Sequence, residues 1–224
     1  MKIQFEDFIS TVEEGERQGK RSPSFWNARD SLGNYLASPI ILEEVKGIIY
    51  TFLADWKSYR KEIGWDQLAK IWTGEYQNIS LSLGGTRIED AQDEEIAQAV
   101  KLYDRLREIE GIGHTNASKL LSLSLIELGV MWDGDIRKKY KELHPQRPIV
   151  EGPRLKRNLY REFLRSQRAE VNNLIQQCMK NKKLPRTEAI QWLREIPLRA
   201  SESVSKREKP LAKLIDQYNY WKTR

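Results

Sequence analysis

The chain is poor in the residues that build covalent or metallic sites. Among 224 residues there is one cysteine, Cys178, and there are two histidines, His114 and His144. A lone cysteine excludes an intramolecular disulfide, a Cys-ligated iron–sulfur cluster and a cysteine zinc finger. Two histidines are too few for a histidine-built metal centre. No metal and no cofactor are therefore expected. Long apolar runs are also missing, and nothing approaches the ~18–20 residues that a membrane span requires. The first twenty residues, MKIQFEDFISTVEEGERQGK, are acidic and interrupted, unlike a signal peptide. A cytoplasmic, membrane-free protein is the expectation.

What is present is charge and helical periodicity. Charged residues make up 31% and apolar residues 39%, the profile of a charge-rich helical chain. The net charge of +6 is unevenly spread. Residues 151–224 carry 18 Lys/Arg against 8 Asp/Glu, leaving 20 against 24 in residues 1–150. A basic half beside a mildly acidic one points to a polyanionic partner, most economically nucleic acid. Solvation of helix faces by lysine and arginine explains the same counts equally well.

Helical spacing recurs along the chain. The expected helices run over 5–16, from Ser24 as an N-cap, over 43–62, 65–72 and 90–108, then over 115–128, 134–143 and 154–179, and at the C-terminus after Thr187 and Pro210. Pro39 and Pro197 interrupt the pattern, and His144 to Pro153 is a Pro-rich connection. The string NISLSLGG alternates at Ile79, Leu81 and Leu83, so residues 74–86 are expected as a short strand or extended loop. The expected fold class is all-α, with about nine or ten helices. Residues 1–150 form one helical region. Residues 151–224 form a basic C-terminal region packed on it, and one continuous domain is the alternative.

The most informative stretch is IEGIGHTNASKLLSLSLIELGVMWDGDIR, Ile109 to Arg137. Gly111 and Gly113 flank Ile112 between two helical patterns, and closely spaced glycines permit a tight reversal. The helix after Gly113 begins with backbone N–H groups that lack intrahelical acceptors, and these can hold a phosphate. Gly111, Ile112, Gly113, His114 and Thr115 are thus candidates for gripping a nucleic-acid backbone without reading sequence. Ile109 and Ile112 would also pin the turn to the core. An ordinary helix–helix turn is the simpler explanation of the glycines alone. Further on, Asp133 closes an apolar run and precedes a helix start, where a carboxylate makes a good N-cap.

This stretch resembles the helix-hairpin-helix (HhH-GPD) DNA glycosylase superfamily. Members typically show L-P-G-h-G-x-x-T-A, a helix, then V-D-T-H-h-x-R. Here the strings are I-E-G-I-G-H-T-N-A and W-D-G-D-I-R. Thr115 falls where bifunctional members carry a catalytic lysine, and Asp133 falls on the family aspartate, 18 residues later. The resemblance implies a helical glycosylase-like fold and a double-stranded DNA partner. It implies base-excision chemistry in which Asp133 stabilises a cation-like sugar and orients water. Arg137, Arg154, Arg157 and Arg161 would extend the DNA-facing surface, and Met131 and Trp132 would dry the site. The excised base needs an aromatic pocket, for which Trp26, Trp56, Trp65 and Trp72 are candidates.

Three departures limit the carry-over. Thr115 has no amine for a Schiff base, Asp135 replaces the usual histidine, and Glu110 replaces the usual proline. Three readings stand: a monofunctional glycosylase, a catalytically silent helix-hairpin-helix DNA-binding protein, and a helical protein-interaction module without nucleic acid.

Overall fold

The computed structural model describes residues 3–18, 22–33, 43–58, 62–72, 74, 77–143, 153–200 and 207–223. These form α1 (Phe5–Gln18), α2 (Ser22–Gly33), α3 (Glu43–Asp55), α4 (Trp65–Ile71), α5 (Gln77–Leu83) and α6 (Asp93–Arg107). Then follow α7 (His114–Ser124), α8 (Gly134–Leu143), α9 (Pro153–Lys182), α10 (Arg186–Arg194), α11 (Ile196–Arg199) and α12 (Leu211–Lys222). The described residues are all-α, with no strand among them. None of these helices is long and apolar enough to cross a membrane. Pro39 and the connection from His144 into residue 152 lie outside the described residues.

Several boundaries differ from the sequence expectation, each for a physical reason. Residues 77–83 are helix α5, not strand. Leu83 is buried, Ile79 packs on the core four residues earlier, and Leu81 is 62% exposed. Ile79 and Leu83, four apart, share the core face of the helix, and the Leu81 between them is an apolar residue on the exposed face. Helix α3 stops at Asp55 because Lys57 adopts a left-handed φ of 50°. Helix α7 ends at Ser124, four residues early, where the Gly129 N–H returns to the Leu125 carbonyl at 2.6 Å. A Cβ on Gly129 would stand 2.9 Å from the Ser122 Cα, so the reversal is too close for any other residue. Ser24 lies inside α2 and does not cap it; its Oγ is buried without a partner. Thr187 likewise falls within α10, whose N-cap position is Pro185.

Helix α7 is the spine. Every residue from Asn116 to Ser124 is buried. Helix α6 packs along it, and α9 packs on α6. Helix α6 begins well: the Glu95 carboxylate accepts the Gln92 backbone N–H at 2.7 Å and the Thr86 hydroxyl at 3.0 Å. Its stripe of Ile96, Val100, Tyr103 and Leu106 is fully buried, each side chain contributing on the order of 1.5–3 kcal/mol by leaving water.

The charge asymmetry has an internal use. Arg165 and Arg168 of α9 both reach Asp93 at the start of α6. Arg186 pairs with Asp90, Arg194 with Glu127, Arg207 with Asp30, Lys209 with Glu16 and Lys222 with Asp7. Each of these bridges joins a cation after residue 151 to a carboxylate before residue 150. Helix α1 packs against α9, α11 and α12. The basic C-terminal region is therefore clasped to the acidic one by several of its described cations.

Candidate functional site

The turn between α6 and α7 is held from below by the segment before α4. The Gly64 N–H donates to the Glu110 carbonyl at 3.0 Å, and the Glu110 N–H donates to Gln67 Oε1 at 3.2 Å. Gly111 has φ +77°, and a Cβ there would stand 2.2 Å from the Glu62 carbonyl oxygen. Both conformation and close approach require glycine. Gly113 differs: its φ is −88° and a Cβ would meet nothing within 4 Å. Ile109 and Ile112 are buried, as the anchoring role requires. The Ile112 N–H is already bonded to the Ile109 carbonyl at 3.1 Å, so Ile112 serves the hairpin's seat and offers no donor of its own.

Gly113 is the N-cap of α7, and the Thr115 and Asn116 N–H groups lie in its first turn, where no intrahelical acceptor exists. Both residues line a broad basin of about 700 Å³. Its lining joins the hairpin (Gly111, Gly113, His114, Thr115) to the start of α8 (Asp133, Gly134, Arg137). His114 Nδ1 lies 2.6 Å from the Tyr103 hydroxyl, which fixes the ring at the hairpin tip. Lys119, one turn after Thr115, also lines the basin, with its ammonium 5.0 Å from the Trp56 ring centre.

Asp133 is placed by a tightly bonded loop. The Val130 carbonyl accepts the Tyr160 hydroxyl at 2.9 Å, the Met131 N–H donates to Asp216 Oδ1 at 2.6 Å, and the Trp132 N–H donates to Ser118 Oγ at 2.9 Å. Three consecutive residues are thus fixed before the carboxylate. Asp133 Oδ1 then accepts the Ile136 N–H at 2.9 Å and caps α8. The side chain is half-buried and lines two cavities at once.

The second cavity is a narrower aromatic pocket beside the basin. Phe25, Trp26, Trp56, Met131, Tyr220 and Trp221 supply its apolar walls. Trp56 and Asp133 belong to both cavities and mark their seam. Lys209, Lys213, Asp216 and Gln217 supply polar groups. Lys213 and Asp216 form a buried ion pair, and the Lys213 ammonium stands 5.1 Å from the Phe25 ring centre. Burial pushes the Lys213 ammonium below its usual range and Asp216 above its own; their mutual attraction opposes both shifts. Lys209 is paired with buried Glu16.

The structure gathers Gly111, Gly113, His114, Thr115, Arg137 and Asp133 around one basin. Trp26 and Trp56 reach the pocket, whereas Trp72 is core and Trp65 packs partly buried against it. Met131 lines the pocket; Trp132 instead stacks into the core with Tyr140 and Phe163. Arg161, on α9, has its Nε buried without a partner and does not line the basin. The side chains of Arg154 and Arg157 lie outside the described residues. The contribution of α12 was not foreseen. Its signal was Lys213 and Asp216 embedded in the apolar run Leu211, Leu214, Ile215 and Tyr218, an ion pair where a core stripe was due.

Comparisons of the chain with protein-family models, with curated proteins and with solved structures gave no match.

Proposed function

We propose that this protein is a monofunctional DNA glycosylase that hydrolyses the N-glycosidic bond of an extruded base. One observation carries the reading: Asp133 stands at the seam between a basin rimmed by helix-start N–H groups and a pocket walled by aromatic rings. The basin suits a phosphodiester backbone. Thr115 and Asn116 N–H groups donate to a phosphate at the positive end of α7, and Arg137 adds charge from α8. The pocket suits a base rotated out of the stack, set among the aromatic side chains of Trp26, Trp56, Tyr220 and Trp221. The sugar then lies between the two, beside Asp133.

The chemistry follows from that placement. The C1′–N bond breaks, and positive charge develops on the sugar. The Asp133 carboxylate stabilises it and orients a water whose oxygen bonds to C1′, while the water's proton goes by way of the carboxylate to solvent. The base departs with the bonding electron pair and takes up a proton. Thr115 offers no amine, so the product is an intact abasic site. Borohydride added during turnover should trap no protein–DNA adduct. A trapped adduct would contradict the monofunctional assignment, and Lys119 would be the residue to replace.

The second reading is a silent DNA-binding protein, favoured by Asp133 already acting as a helix cap. It predicts duplex binding without abasic-site formation on any lesion.

A further inference from the structure

The aromatic pocket has a polar wall, of which only Asp216 has a part in placing Asp133, through the Met131 N–H. Lys213 and Asp216 are both buried and both line it. Asp216 is doubly committed: Oδ2 to Lys213 and Oδ1 to the Met131 N–H. Lys213 is not. Its ammonium has three donors; Asp216 takes one, and Phe25 presents a ring face. Lys209, just before α12, brings a second buried ammonium to the same lining. Buried ion pairs are poor stabilisers, because desolvation offsets the attraction, and apolar side chains of similar volume often do as well. Two of them on one small pocket therefore call for a use beyond stability.

The donor set indicates what that use is. Ammonium groups only donate, so they match ligand oxygens or unprotonated ring nitrogens. The flanking rings match a flat heterocycle. Each cation is balanced by its own carboxylate, Glu16 or Asp216, so this wall offers no net charge that would draw in a cationic base.

Resting on the glycosylase reading above, we propose that Lys213, held by Asp216, is the specificity-determining residue of the pocket. It selects a neutral, oxo-substituted base, with a ring carbonyl beside an N–H as in uracil or hypoxanthine. In the same register, an amino-edged base puts an N–H₂ donor where the oxo base presents its carbonyl to the ammonium. An N-alkylated purine sets its fixed positive charge beside the Lys213 ammonium and gains no hydrogen bond that a neutral oxo base lacks.

The test is binding of the full chain to one duplex carrying a single 2′-fluoroarabino nucleotide, which resists cleavage. The bases compared are uracil, hypoxanthine, cytosine, adenine and cationic 7-methylguanine, with a tetrahydrofuran abasic analogue as reference. Uracil or hypoxanthine should bind about tenfold more tightly than its amino counterpart, the size of one mismatched hydrogen bond in a buried site. In Lys213→Gln, and in the charge-balanced Lys213→Met/Asp216→Asn, that ratio should fall to about one while the abasic duplex binds as before. Tightest binding of 7-methylguanine, or an undiminished ratio in both variants, overturns the assignment and leaves the glycosylase reading standing. Failure to prefer even the abasic duplex over an undamaged one overturns the glycosylase reading itself, and the assignment with it.

Discussion

Asp133 has two oxygens, and the structure assigns one of them. Oδ1 caps α8 through the Ile136 N–H; the proposed chemistry belongs to the remainder of the carboxylate. The two roles separate by substitution. Asparagine caps nearly as well as aspartate, so Asp133→Asn should keep its melting temperature while excision falls by about 10²–10³-fold. Asp133→Ala should lose the same activity and about 1 kcal/mol of stability as well, measurable by urea denaturation. The two hairpin glycines make a second contrast. Gly111→Ala forces a left-handed alanine against the Glu62 carbonyl, which should cost about 2–4 kcal/mol. Gly113→Ala enters open space and should cost under about 1 kcal/mol, mainly as a poorer N-cap. Equal losses in the two variants would refute this account of the turn. From sequence the two glycines looked alike, because φ and the approach of residue 62 depend on a segment nearly fifty positions away.

At the scale of the elements, the hairpin was legible and the pocket was only half legible. The G-x-G spacing and the flanking periodicity mark α6 and α7, and the apolar run before Asp133 marks the loop that the structure fixes by three successive hydrogen bonds. The pocket is different. Its walls come from α2, the end of α3 and α12, elements with no local signature of shared purpose. Helix α9 shows how little a charge pattern says about its partner. Its arginines recur at helical spacing, and Arg165 and Arg168 pair with Asp93 of α6 at the surface. Periodicity says which residues share a face and not what that face meets. A paired experiment checks the reassignment. Arg137→Ala should weaken duplex binding and lower the slope of log K against log salt by about one. Arg165→Ala should leave that slope unchanged and lower thermal stability instead. A reduced slope in Arg165→Ala would return α9 to the DNA-facing surface.

For the whole molecule, the uneven charge acts first as a clasp. Asp93 is held below the usual carboxylate range by hydrogen bonds from Arg165 and then Arg168, and Asp7 by one from Lys222. A carboxylate depressed in the folded chain contributes its full stability above its unfolded value, near ~3.9, and loses it as pH falls through the folded value. Melting temperature should therefore drop below about pH 4, and drop less steeply in Asp93→Asn. Glu89 runs the other way. Both its oxygens are buried without partners, and burial raises its pKa. Its contribution is greatest below the unfolded value and fades as pH rises through the folded one. Glu89→Gln should stabilise the chain at pH 8 and not at pH 4; a gain independent of pH would contradict this assignment.

The central claim concerns what the clasped helices hold open: a basin, a pocket and one carboxylate between them. Duplexes each containing one uracil, hypoxanthine, 8-oxoguanine or alkylated purine, incubated with wild type and with Asp133→Asn, test it most directly. The account predicts alkali-labile abasic sites from at least one oxo-base duplex with wild type, and their loss with Asp133→Asn. No abasic site from any duplex, or equal excision by the two proteins, would contradict it.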